Sequence, residues 1–196
     1  DLNAAQDVDV SGTVTSTGGA INIESGTGTD VSGTVSTGTG KVDISTTTSF
    51  VLQDGGEIST TGAAGIITIG AGTTATVDGN IQSGDAAINV TSQDQLSLGS
   101  TGSISTAAGA IHLQSATDTV ALDASVTSTD GLIDIQAGQD ITLGAMDVIH
   151  SDNDAVTLDA NNDILINGEV SSIGAKVTLL AMEDIQVTST GVVETD

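Results

Sequence analysis

The chain has 196 residues, with 26 Asp and Glu against two lysines and no arginine, a formal net charge of −24, and Phe50 as its only aromatic. Such a balance argues against nucleic acid and anionic membrane surfaces as partners, because Lys and Arg do the binding there. It has no Cys, so no disulfide framework supports it, and no run approaches the 18 apolar residues of a membrane-spanning helix.

From the N-terminus, Leu2 and Ala4 begin partway through a pattern that then repeats to the end. Val8/Val10 forms a short alternating run, and Val14 follows with Ser16 two residues on. The next run is Ile21/Ile23/Ser25, followed by Thr29/Val31 and Val35/Thr37. From here the unit recurs with its apolar positions in phase.

Its anchor is a β-branched column: Val14, Val35, Ile58, Ile81, Ile104, Val126, Ile149, Val170 and Val193, at spacings of 21, 23, 23, 23, 22, 23, 21 and 23. Two residues after each anchor stands a small hydroxyl: Ser16, Thr37, Thr60, Ser83, Thr106, Ser128, Ser151, Ser172 and Thr195. A β-branched column lies seven residues past the anchor, from Ile21 to Val177. Only Ile67 departs from it, arriving two residues late after Gly62-Ala63-Ala64-Gly65. An aliphatic column (Ile23 to Leu179) and a small-residue column (Ser25 to Ala181) follow at steps of two. A third run precedes each anchor, as in Phe50/Leu52 and Leu96/Leu98, at a distance that varies from four to six residues.

A fixed period of this size marks a solenoid. Each repeat holds three period-2 runs, rich in β-branched residues, with Gly, Asn, Asp, Ser and Thr between them. No run has helical spacing. The expected fold is all-β: one single-stranded parallel β-helix, a three-sided β-solenoid of about nine coils of about 22 residues, forming a single domain over 1–196. At ~4.8 Å per coil its axial length is roughly 43 Å.

The runs Gly102-Ser103-Ile104-Ser105-Thr106, Gly109-Ala110-Ile111-His112-Leu113 and Ala137-Gly138-Gln139-Asp140-Ile141-Thr142-Leu143 recur in variant form from end to end. In these the chain resembles the β-helical repeats of filamentous-haemagglutinin-type bacterial surface adhesins and related giant extracellular proteins. That resemblance implies a right-handed rod, exported unfolded and displayed outside the cell, with a host or cell-surface glycan as a partner. Asp1 is not an initiator Met, so the N-terminus is expected to be processed or excised.

Four chemistries are weighed against simpler roles. Asp7, Asp140, Asp163 and Asp184 each precede the first inward residue of a run, and Asp94 and Asp118 lie one residue further out. Stacked at ~4.8 Å, Asp140, Asp163 and Asp184 would repel unless a cation bridges them, which makes them calcium candidates. The simpler reading bonds them to turn amides. The Ser/Thr column lacks a catalytic base: His112 and His150 project from different sides, and no triad is expected. Ice binding has little support, because the paired outward residues Thr13/Thr15 and Thr34/Ser36 give way to mixed and charged pairs. Polysaccharide cleavage lacks aromatic platforms, Arg and any long inserted loop. Asn89-Val90-Thr91 is an N-glycosylation acceptor sequence on an outward position.

The expected function is therefore non-catalytic: a structural extracellular rod, serving as an adhesin shaft or a filament subunit. Self-association head to tail through open terminal coils is the expected contact. The alternative is a calcium- or glycan-binding module.

Overall fold

The computed structural model describes residues 1–195; Asp196, the last residue of the expected domain, lies outside the described residues. The described chain contains 27 strands and no helix, arranged as three nine-stranded sheets in which every pairing is parallel. Successive strands go to different sheets, and each strand pairs with the strands three before and three after it. This is the three-sided β-solenoid that the period predicts.

The first face is built of five-residue strands such as Ile21–Ser25. Three-residue strands such as Thr29–Val31 form the second face, and four-residue strands such as Thr34–Thr37 form the third. The anchor column runs up the third face in unbroken register, Val14 to Val35, Val35 to Ile58, and so on to Val170 with Val193. Register is unambiguous because a slip of one residue would turn each inward aliphatic out to water.

Alternate residues point inward, and through the central coils the inward aliphatics are fully buried. Each such side chain contributes about 1.5–3 kcal/mol by leaving water. Phe50 sits on the second face between Thr29 and Ala75, its register partners in the neighbouring coils. Two small neighbours make room for the phenyl ring, as close packing requires. In the final coil the inward Ile185, Val187 and Val193 are exposed, since no strand covers them.

From the second coil onward the corner between the second and third faces alternates in size. Four-residue turns follow Leu52, Leu98, Leu143 and Val187, and two-residue turns follow the intervening strands. These are the six- and four-residue spacings of the sequence. Three of the longer turns close with an amide-to-carbonyl bond, from Gly56 to Gln53 (2.9 Å), Gly102 to Gly99 (2.9 Å) and Gly191 to Thr188 (3.1 Å).

Whatever the turn length, the residue just before each third-face strand stacks on its counterpart: Gly12, Gly33, Gly56, Gly79, Gly102, Ala124, Asp147, Gly168 and Gly191. A Cβ on Gly33 would lie 2.0 Å from the Gly12 carbonyl oxygen, and one on Gly79 2.3 Å from that of Gly56. Glycine is used here for close backbone approach.

Candidate functional site

The inward hydroxyl column is structural in its bonding. The Ser16 Oγ accepts the Gly19 amide at 2.9 Å, Thr37 Oγ1 that of Gly40 at 3.1 Å, Ser128 Oγ that of Gly131 at 2.8 Å and Ser151 Oγ that of Asp154 at 3.2 Å. Each thus closes its own corner. Several also donate to the preceding coil, Thr37 to the Gly19 carbonyl (3.2 Å), Ser151 to Gly131 (3.0 Å) and Ser172 to Asp154 (2.8 Å). Among the described residues no buried side-chain N or O lacks a partner. A hydroxyl used twice in this way is not free to act as a nucleophile.

At the acidic corner, the carboxylates of Asp7, Asp94, Asp118, Asp140 and Asp163 each meet a hydrogen-bond donor. Asp140 Oδ1 accepts the backbone amide of Asp163 at 3.2 Å, and Asp163 Oδ1 accepts that of Asp184 at 2.9 Å. Asp7 accepts the Gly28 amide at 3.0 Å and the Thr27 hydroxyl. The Thr27 hydroxyl, then the Gly28 amide, hold the Asp7 carboxyl below its ordinary pKa. Asp94 Oδ1 accepts the Thr117 hydroxyl at 3.2 Å, and Asp118 Oδ1 the Thr119 amide at 2.8 Å.

Asp140, Asp163 and Asp184 share the wall of one shallow cleft of about 230 Å³ with Thr142, Leu165 and Gln186. A calcium ion takes six to eight oxygens from converging ligands. Among the described residues no three His, Asp or Glu groups converge closely enough to hold a metal ion. As a donor set, the three aspartates fit a carboxylate-to-amide ladder running along the rod.

His150 corrects the expectation that nothing resembles a triad. Its Nδ1 lies 2.7 Å from Ser171 Oγ and its Nε2 2.9 Å from Asp152 Oδ1, while Ser171 Oγ donates to Glu169 Oε1 at 2.7 Å. The serine is not one of the inward hydroxyl column but the residue before Ser172, placed beside His150 by strand register. Ser171 is only 3% exposed, and its proton is committed to Glu169. It lies within a strand whose backbone donors belong to the sheet ladder. Nucleophilic catalysis needs an accessible oxygen and donors aimed at a developing oxyanion. The geometry here suits a cross-coil polar clamp.

His112 lies on the first face, 3.4 Å from Asp134 Oδ2 through its Nδ1. The same carboxylate oxygen accepts Gln136 Nε2 at 3.0 Å, and Gln114 Nε2 contacts Gln136 Oε1 at 3.5 Å. Strand register stacks Asn89, His112 and Asp134 in one outward column and Thr91, Gln114 and Gln136 in the other. All six line an open cleft of about 250 Å³. Neither this patch nor the His150 clamp was found by sequence reasoning, though the repeat phase alone places their members side by side.

One further group is perturbed. At the corner after Leu143, a Cβ built on Gly144 would lie 2.4 Å from Asp147 Oδ2 and 2.5 Å from Asp123 Oδ1. Burial, then the charge of Asp123, push the Asp147 carboxyl above its ordinary pKa. Asp147 also takes a place that glycine fills in most coils.

No family model matches the chain, and no curated protein or solved structure matches it.

Proposed function

We propose that this chain is a non-catalytic structural rod, the shaft of an extracellular surface adhesin or a subunit that stacks head to tail into a filament. The observation that carries the reading is the continuity of the three nine-stranded sheets, with the inward hydroxyl column bonded at its corners. A stack whose coils contact only their neighbours resists bending through repetition and needs no globular core.

In the filament form a second copy would cover the inward residues of the last described coil, Ile185, Val187 and Val193. A second copy in phase would pair them with Val8, Val10 and Val14. Asp7 belongs to the same corner column as Asp184, so the second copy would offer its Asp7 amide to the Asp184 carboxylate, as Asp184 offers its own to Asp163. The contact is heterologous and does not close, so it propagates. The acidic outer surface keeps such a rod dispersed and makes nucleic acid an unsuitable partner.

Electron microscopy of the purified chain, with calcium and with chelator, tests the reading. Threads lengthening with concentration support the filament, and separate short rods support the shaft. Compact particles without axial order refute both. Thread formation or a melting temperature that depends on calcium would favour the alternative of calcium at Asp140, Asp163 and Asp184.

A further inference from the structure

The first face has the longest strands and, like the third, carries two outward columns. In the early coils these columns hold Asn22 and Asp43 beside Glu24 and Ser45. In the last two they hold Thr157 and Thr178 beside Asp159 and Leu180. Only the middle of the face sets amide, imidazole, carboxylate and hydroxyl groups together, as Asn89, His112, Asp134, Thr91, Gln114 and Gln136. The grid has spacings of ~4.8 Å between coils and ~6.6 Å along each strand.

Its hydrogen bonding is one-sided. Asp134 Oδ2 accepts Gln136 Nε2 at 3.0 Å and has His112 Nδ1 beside it at 3.4 Å. Among the described residues Asp134 Oδ1, His112 Nε2 and the Asn89 side-chain amide have no protein partner. An acceptor, a ring nitrogen and an amide thus face water a coil apart, the adjacent donor-and-acceptor arrangement that vicinal hydroxyls satisfy in pairs. A second cleft bordered by Gln114, Gln136, Asp159 and Asn161 continues the track toward the corner.

We infer that the middle of the first face binds a neutral, extended oligosaccharide lying across the coils of Asn89, His112 and Asp134. The open, shallow cleft suits a chain rather than an enclosed small molecule. Neutrality follows from charge: the formal net charge is −24, and the only two lysines, Lys41 and Lys176, lie in other coils, so an anionic sugar meets no counter-charge. A protein partner would need a central apolar or aromatic anchor. The patch has no aromatic side chain, and its nearest aliphatic is the half-buried Leu132 at its edge, two residues before Asp134.

The test is titration of the unglycosylated protein with neutral gluco-, manno- and chito-oligosaccharides of increasing length and with a sulfated oligosaccharide, followed by NMR. At least one neutral series should bind, with affinity rising until about three coils are spanned, and the sulfated sugar should not. The double variant Gln114→Ala/Gln136→Ala should weaken binding tenfold or more, while Gln82→Ala on the third face leaves it unchanged. All these positions are outward, and circular dichroism checks that the variants fold. Absence of binding by every neutral series at millimolar sugar, equal binding by the double variant, or equal binding of the sulfated sugar would each overturn the assignment.

Discussion

Thr60 Oγ1 donates to Ser83 Oγ at 3.1 Å, joining one coil to the next through their hydroxyls, and the same Ser83 oxygen accepts the Ala86 amide at 3.1 Å. One buried atom therefore ties a corner closed and fixes it to its neighbour. In other coils the column hydroxyl reaches a backbone carbonyl of the preceding coil instead, as Thr37 does to Gly19 and Ser151 to Gly131. Such bonds penalise any slip between coils, because a shifted hydroxyl would leave buried donors without acceptors.

Ser83→Ala should accordingly cost about 1–3 kcal/mol, since it strands the Ala86 amide and the Thr60 hydroxyl in the interior. Chemical denaturation of the variant measures this. Ser83→Thr keeps the oxygen and should retain most of the stability; equal losses in both variants would show that the hydrogen bonds are not the cause.

Backbone nesting makes a second prediction. A Cβ on Gly131 would lie 1.9 Å from the Gly109 carbonyl oxygen, whereas one on Gly12 meets nothing within 4 Å. Gly131→Ala should destabilise by about 1–3 kcal/mol through forced backbone shifts. Gly12→Ala should be neutral or stabilise by up to about 1 kcal/mol through the unfolded chain. Thermal melting of the pair reads both signs.

Met146 has a φ of +75°, and Gly55, at the same place in an earlier four-residue turn, has +79°. A side chain in this region costs about 1–2 kcal/mol, and that of Met146 is 94% exposed, so it has little packing to lose. Met146→Gly should raise stability by about 0.5–1 kcal/mol after the entropic cost of glycine. A lower melting point would mean that the methionine side chain makes a stabilising contact.

The Asp147 carboxyl is held above its ordinary value of 3.8 by burial, then by Asp123. The native state therefore binds this proton more tightly than the unfolded chain, and stability falls as pH rises from 3.8 through the raised native value. Asp147→Asn should be more stable than wild type at pH 7, by about 0.5 kcal/mol, with the difference closing as pH falls below 3.8. Asp7 acts with the opposite sign, since the Thr27 hydroxyl and then the Gly28 amide lower its pKa. Its contribution is present at neutral pH and is lost as pH falls through the lowered native value. Denaturation curves of Asp147→Asn and wild type across pH 3 to 8 check the first sign, and a gap that widens toward acid would refute it.

The architecture was legible because one period governs every inward residue: the column from Val14 to Val193 assigns the third face, and the others follow at fixed offsets. The corner glycine stack was harder to see, because Ala124 and Asp147 interrupt it and because close backbone approach leaves no mark on hydrophobicity. Register places Asp140, Asp163 and Asp184 in one column but does not say that the carboxylates of Asp140 and Asp163 reach the next coil's amide. The His150 clamp was missed for a related reason. Its partners lie on outward positions, where Ser171 looks like any solvated serine until it is set beside His150.

Spin-label distances along the third face test the rod most directly. The chain has no cysteine, so labels can be placed on outward register positions without background. Thr15 paired in turn with Ser105, Thr127 and Glu194 spans four, five and eight coils. The distances should grow linearly, at about 19, 24 and 38 Å for ~4.8 Å per coil. Distances that plateau, or that do not scale with coil number, would contradict a straight stack of in-register coils.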